Sequence, residues 1–236
     1  MADVKKARVV KTMAIQEDVC YLSCEMVVPM ELGFKGGQYI IVNSGKLLAN
    51  GKLGKRAYSI LSADTRQDSF ELAVKRIPDG IGSGFMHDLK VGDSFEFSGP
   101  WGKYHGGNMA TEERLLCIAT DTGITAALGL LRGQGAKPFS AGSTLLWSFP
   151  REDYFIPSGM VRAWLPEFLS AQFLREDPLA EFEGLVRDRL FTKIYLSGDG
   201  HIIVKLKERF LSLGYTPEQI FSESFFNHES FKTTRF

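Results

Sequence analysis

The sequence predicts two domains: an N-terminal antiparallel β-barrel, residues 1–106, then a C-terminal parallel-sheet α/β domain, residues 107–236. Three observations carry this. The first hundred residues alternate short β-prone runs with turns rich in Gly, Asn and Asp, the pattern of a small antiparallel barrel. After residue 113, apolar runs of strand length alternate with helical stretches, the pattern of a parallel sheet wrapped by helices. Between them, Lys103–Glu113 is polar and contains glycine, as expected of a boundary.

In the first half, Ala7–Met13 and Val19–Val28 read as strands joined at Gln16-Glu17-Asp18. Tyr39–Asn43 follows a Gly-Gly turn. The stretch Ser44–Lys55 reads as a loop, and Ala57–Ile60 as a strand. Phe70–Arg76 alternates, placing Phe70, Leu72 and Val74 on one face. Ser94–Ser98 is the sixth strand, and Gly99-Pro100-Trp101-Gly102 a rigid turn. One stretch breaks the pattern: Pro78–Gly84 opens a short helical run, Phe85–Leu89. A glycine-rich turn feeding a helix gathers free N–H groups suited to an anion, to which Ser83 adds a hydroxyl. Equally, Ser83 is a helix cap on a plain connector.

In the second half, Arg114–Thr120 is a continuous apolar run, as in a strand buried on both faces. Asp121-Thr122-Gly123 makes a turn into a helix over Ile124–Arg132. Strands follow at Ser143–Phe149, Phe168–Leu174, Thr192–Ser197 and Ile220–Ser224. Helices lie at Met160–Leu165, Glu181–Leu190 and Ile202–Leu213. Ligands on such sheets sit at the carboxyl ends of strands, which singles out Thr120–Thr125 and Gly198–His201.

Composition narrows the class of protein. Lys plus Arg equals Asp plus Glu, at 28 each, which gives no support to nucleic-acid binding. Three cysteines, Cys20, Cys24 and Cys117, make neither a disulfide framework nor an iron–sulfur ligand set. No metal site is expected. No apolar run reaches membrane-spanning length, and the N-terminus lacks a signal core. A cytoplasmic location is the expectation. His87, His105, His201 and His228 lack partners at metal-ligand spacing. His87 reads as a surface or capping residue and His201 as an exposed loop residue.

The chemistry begins at Lys55-Arg56-Ala57-Tyr58-Ser59-Ile60. Residues two apart on a strand share a face, so Arg56 and Tyr58 project together. Arg forks onto phosphate oxygens, and Tyr offers a stacking face with a polar tip. A ligand with both a phosphate and a flat ring suits the pair. With a phosphate-suited turn in each domain, two extended ligands would meet at the interdomain cleft.

Eight motifs in order resemble the ferredoxin–NADP reductase superfamily of flavoproteins over nearly the whole chain: RAYSI at 56–60, AVKRI at 73–77, GIGS at 80–83, GPWG at 99–102, CIATDTGITA at 117–126, EGLVRDRL at 183–190, YLSGDG at 195–200 and ESF at 223–225. The resemblance implies an FAD-binding barrel and an NADP- or NAD-binding α/β domain. Arg56 would pair with a flavin phosphate, Tyr58 lie against the isoalloxazine, and Ser59 hydrogen-bond near N5. Ala57, Val74, Lys75 and Arg76 would border the flavin. Gly80, Gly82 and Ser83 would hold phosphate. Thr120, Thr122, Gly123 and Gly198 would border the nucleotide. Ser59, Ser197 and Glu223 would carry the catalytic positions, and Phe225, with Phe226 competing, would cover the ring.

Three departures stand out. Asp121 replaces a glycine and puts a carboxylate where a pyrophosphate is expected. Ala126 replaces a proline, and Ser197 a cysteine. The tail after Phe226 reads as an aromatic lid ending at Phe236. For 2′-phosphate discrimination, Ser148 and Arg151 favour NADPH and Glu152 and Asp153 oppose it.

The implied activity is hydride transfer from NAD(P)H to FAD, with single electrons passed to ferredoxin or flavodoxin. Lys46, Lys52, Lys55 and Lys103 are candidates for a docking rim, or simply solvated loop surface. The alternatives are an oxygenase reductase component and a flavin-binding electron-transfer subunit with weak or no nicotinamide use.

Overall fold

A computed structural model describes residues 4–28, 30–48, 50–107, 113–136, 142–167, 169–175, 178–187 and 191–225. Residues 188–190, Phe226, His228 and the tail 227–236 lie outside them.

Six antiparallel strands form the first sheet: β1 (Lys5–Gln16), β2 (Val19–Met26), β3 (Tyr39–Leu47), β4 (Leu53–Ser59), β5 (Ser69–Lys75) and β6 (Ser94–Trp101), in the order β4-β3-β6-β1-β2-β5. A two-residue turn at Glu17–Asp18 joins β1 to β2, with Gln16 opposite Val19. The inward positions form one core, including Val9, Leu22, Ile40 and Leu72 with the clustered rings of Phe70, Phe95 and Phe97. Phe70, Leu72 and Val74 are all buried, as their alternation predicts. The sheet curls so that Leu61, just past β4, donates its N–H to the Glu71 carbonyl of β5 at 2.9 Å.

Two stretches differ from expectation. The predicted loop 44–55 is largely a hairpin extending β3 and β4, closed by the Ser44 hydroxyl donating to the Gly54 carbonyl at 2.7 Å. Lys46, Leu47 and Leu53 are exposed there, so no apolar alternation marks these strands. The predicted turn 99–102 instead continues β6 to Trp101, through a cis Gly99–Pro100 bond.

The second sheet is parallel: β7 (Leu115–Thr120), β8 (Thr144–Ser148), β9 (Ser170–Leu174), β10 (Lys193–Asp199) and β11 (Ile220–Phe225), in the order β11-β10-β7-β8-β9. Helices α2 (Ile124–Arg132), α3 (Ser158–Trp164), α4 (Pro178–Arg187) and α5 (Gly200–Ser212) connect them; α1 (Ile81–Asp88) belongs to the first domain. All six residues of β7 are buried. The chain runs outward from β7 to β9, then crosses back to β10. The switch point therefore lies between β7 and β10, where their carboxyl ends present Thr120–Gly123 and Gly198–Asp199.

The domains pack closely. Asp64 accepts from Gly36 N at 3.0 Å and from Gln134 N at 2.6 Å. Arg132 of α2 donates to the Leu61 carbonyl and pairs with Glu71. Leu61, Ala73, Val19 and Tyr104 share a core with the second sheet. The 106/107 division falls between the end of β6 and the start of β7.

Candidate functional site

A cleft of about 620 Å³ opens between the domains. One wall is β4, contributing Arg56, Ala57, Tyr58 and Ser59, with Tyr39 of β3 beside it. The register sets Tyr39 opposite Ser59 and Ile40 opposite Tyr58. The floor is the end of β5 and the turn into α1, including Val74, Lys75, Gly80, Gly82 and Ser83. The second domain closes it with Thr122, Thr125, Phe155 and the end of β11, Glu223 to Phe225.

The α1 turn is built by Ser83. Its hydroxyl accepts from Ile77 N at 3.0 Å and donates to the Gly80 carbonyl at 3.2 Å. Gly80 is the N-cap, with no side chain capping the helix, so Ser83 pins the turn rather than capping it. The first-turn N–H groups have no carbonyl four residues back, and the dipole's positive end there suits an anion. Gly82 is required by packing: a Cβ there would lie 2.4 Å from Arg56 Cγ. The Arg56 stem thus lies across the helix start, with Nη1 donating to the Lys55 carbonyl at 2.8 Å. Asp79, beside the turn, adopts a positive φ of 56°.

At the other end, burial pushes the Glu223 carboxyl up to about 7. Burial and this neighbour together raise the Tyr39 phenol. A Cβ on Gly102 would sit 3.1 Å from the Tyr39 ring and 3.5 Å from Glu223 Oε2, so that glycine makes room for both. Burial also raises the Tyr58 phenol, with Arg56 opposing; Tyr58 is a neutral ring at physiological pH.

Several predicted residues spend their side chains elsewhere. The Val74 side chain is in the barrel core, and its carbonyl is within 3.0 Å of His87 Nε2. Lys75 pairs with Asp18, donates to the Tyr154 carbonyl at 2.6 Å and lies 4.4 Å from the Tyr154 ring centre, a bond between the domains. Arg76 is exposed beside Asp88. Thr120 is buried and accepts from Asp199 N at 2.7 Å. Ser197 is fully buried, donating to the Gly123 carbonyl at 3.0 Å and lying 3.3 Å from the Tyr104 hydroxyl. Its hydroxyl is spent inside the domain, away from the cleft lining.

The two nucleotide-domain turns differ. Asp199 caps α5, accepting from His201 N and Ile202 N, so that helix start is already satisfied. The α2 start at Gly123 has no side-chain cap. Gly123 and Gly198 are fixed by close approach: a Cβ on the first would meet the Ser197 carbonyl at 2.4 Å, and on the second the Thr120 hydroxyl at 2.2 Å. Asp121 holds a positive φ of 50°, and Trp147 Nε1 donates to its carbonyl at 2.9 Å. Among the discrimination candidates, Arg151 pairs with Asp153, and Glu152 accepts from Ser158 N.

Thr125, at the end of the turn Thr120–Thr125 that the sequence singles out, lines the cleft; Tyr39 and Phe155 are not legible as site residues. The Gly-Gly-Gln-Tyr turn is a local signal for Tyr39. Nothing in the sequence marks Phe155, which reaches the cleft from the loop after β8.

Residues 6–105 match the family described as the oxidoreductase FAD-binding domain. Ferredoxin–NADP reductase B of Sorangium cellulosum is 35% identical over 131 residues, 56% of this chain and 52% of that protein. The first domain thus carries a likeness to the ferredoxin–NADP reductase superfamily of flavoproteins. Another relative in sequence is the reductase component of phenol 2-monooxygenase from a Pseudomonas species, 33% identical over 99 residues, 42% of this chain and 26% of that one. The chain thus spans about half of the first relative and a quarter of the second. In fold the likeness extends over both domains: a ferredoxin NADP+ reductase of Neisseria gonorrhoeae, solved with FAD and NADP, superposes with a TM-score of 0.76 at 18% identity, covering 96% of this chain and 100% of that one.

Proposed function

We propose that this chain is an NAD(P)H-dependent flavoprotein reductase whose FAD occupies the interdomain cleft. One observation carries the reading: a single 620 Å³ cleft is lined by an arginine and an open helix start together with two half-buried phenols and a carboxyl. That is the donor set for a ligand with phosphates and an aromatic ring system. Arg56, Gly80, Gly82 and Ser83 hold the phosphate end. Tyr58 gives a stacking face and Ser59 a hydroxyl. Glu223, raised to about 7, holds or yields a proton near neutrality. Phe225 closes the second-domain side, and Thr122 with the uncapped α2 start faces the nucleotide. When bound, the flavin supplies hydride acceptance and one-electron release, chemistry no side chain here performs.

The electron acceptor on this reading is a small carrier, ferredoxin or flavodoxin. Lys46, Lys52, Lys55 and Lys103 are all exposed on the first domain and suit an acidic partner. Among the described residues no helix is long and apolar enough to cross a membrane. The oxygenase-reductase alternative shares this site and differs in the acceptor. The reading of a flavin subunit with weak nicotinamide use is favoured by Asp121 and Asp199 at the nucleotide turns.

The deciding experiment is an absorbance spectrum of the purified protein, then anaerobic addition of NADH and of NADPH. Bleaching of a flavin spectrum by either nucleotide supports the reductase and shows its preference. Bleaching by dithionite alone supports the electron-transfer subunit, and no flavin absorbance after reconstitution with FAD rejects both.

A further inference from the structure

The switch point carries two carboxylates where a dinucleotide's pyrophosphate would lie. Asp199 is pinned: its side chain accepts from His201 N and Ile202 N, and its own N–H donates to Thr120. The Asp121 backbone is pinned too, by its positive φ and by Trp147. Both turns sit at neighbouring strand ends, since Ser197 of β10 pairs with Ala119 of β7. A doubly charged pyrophosphate meeting two carboxylates at this turn is repelled. A protonated carboxyl instead gives an O–H donor to a phosphate oxygen.

Resting on the reading of this domain as a nicotinamide-nucleotide site, we infer that the nucleotide binds only with a proton on Asp121, making Asp121 a specificity-determining residue. The Asp199 carboxylate oxygen already serves backbone donors. The titratable group facing the pair from the loop after β8 is the Tyr154 phenol, itself among Asp18 and Arg151. The cations of this cluster are committed elsewhere: Lys75 to Asp18 and Arg151 to Asp153. Burial first, then Asp199, raises the Asp121 carboxyl to about 7, so the proton is available within the neutral range.

The test is calorimetric titration of the FAD-loaded protein with NAD+ between pH 6.5 and 8.5, in buffers of differing ionisation enthalpy. The NAD+ pyrophosphate keeps its charge throughout. The expected result is an affinity falling about 20-fold across that range, with about 0.9 proton taken up per nucleotide at pH 8. Asp121→Asn should bind with no slope and no uptake. Asp121→Gly, which suits the positive φ, should do the same if the Asn variant folds poorly; flavin absorbance reports folding in both. A flat wild-type profile overturns the inference while leaving the nucleotide reading intact. A slope and uptake that persist in both variants assign the proton elsewhere and also overturn it. Absence of binding at every pH, with NADP+ as with NAD+ and flavin still in place, overturns the nucleotide reading and this inference together.

Discussion

Gly36 and Gly129 meet backbone to backbone across the domain interface: a Cβ on Gly36 would lie 2.2 Å from the Gly129 carbonyl oxygen. A Cβ on Gly129 would in turn lie 2.2 Å from the Ile60 carbonyl, one residue beyond β4. These glycines let α2 press against the strand that carries Arg56, Tyr58 and Ser59, so the cleft's geometry depends on two missing methyl groups. Gly129→Ala should destabilise by about 1–3 kcal/mol through overpacking, lowering Tm by about 3–10 °C. Calorimetry checks this; an unchanged Tm would mean that α2 shifts freely.

Arg56→Ala removes the guanidinium from the phosphate end of the cleft. A charge-assisted bond is worth about 1.5–3 kcal/mol, so FAD affinity should fall roughly 10- to 150-fold. Undiminished flavin in the purified variant would reject the assignment.

Gly82→Ala tests the same site through packing alone. Its methyl would collide with Arg56 Cγ and displace the arginine stem without removing any charge. Flavin loss comparable to that in Arg56→Ala is expected; full retention would show that Arg56 holds its ligand from a shifted position.

Stability should fall as pH rises from about 4 to 7. Glu223 rises from 4.5 to about 7 and Asp121 from 3.8 to about 7. In that window the folded state binds more protons than the unfolded chain, so the slope of unfolding free energy against pH is negative. The stabilisation is full below the unfolded values and lost above 7. Asp121 contributes on the order of 4 kcal/mol; Glu223, closer to solvent, contributes less because water screens its charge. Thermal melts of FAD-free protein should show a declining Tm that flattens above pH 7, with Glu223→Gln and Asp121→Asn each removing part of the decline. A Tm that rises over this window would contradict both shifts.

Lys75 should act as a bond between the domains. A double-mutant cycle with Lys75→Met and Tyr154→Leu, which removes the cation–ring contact across the interface, should give a coupling of about 0.5–2 kcal/mol. Zero coupling would make the pair incidental to stability.

The sequence alone determined the strand and helix order, the helix Ile124–Arg132 to its end residues, and the glycine-rich turn Gly80–Ser83, because periodicity and glycine placement are local properties. It also marked Asp121 as a foreign charge. The hairpin over 44–55 escaped because exposed side chains leave no apolar alternation. Tertiary structure alone decided that Phe155 borders the cleft and that Ser197 turns inward to Gly123 and Tyr104. It also decided that Lys75 reaches Tyr154 and that Asp199 spends its carboxylate on its own helix. Each of these depends on a contact between residues at least 70 apart or on a side-chain direction, or on a cap competing with a ligand for the same N–H groups. Chain order fixes none of these until the two sheets are packed together.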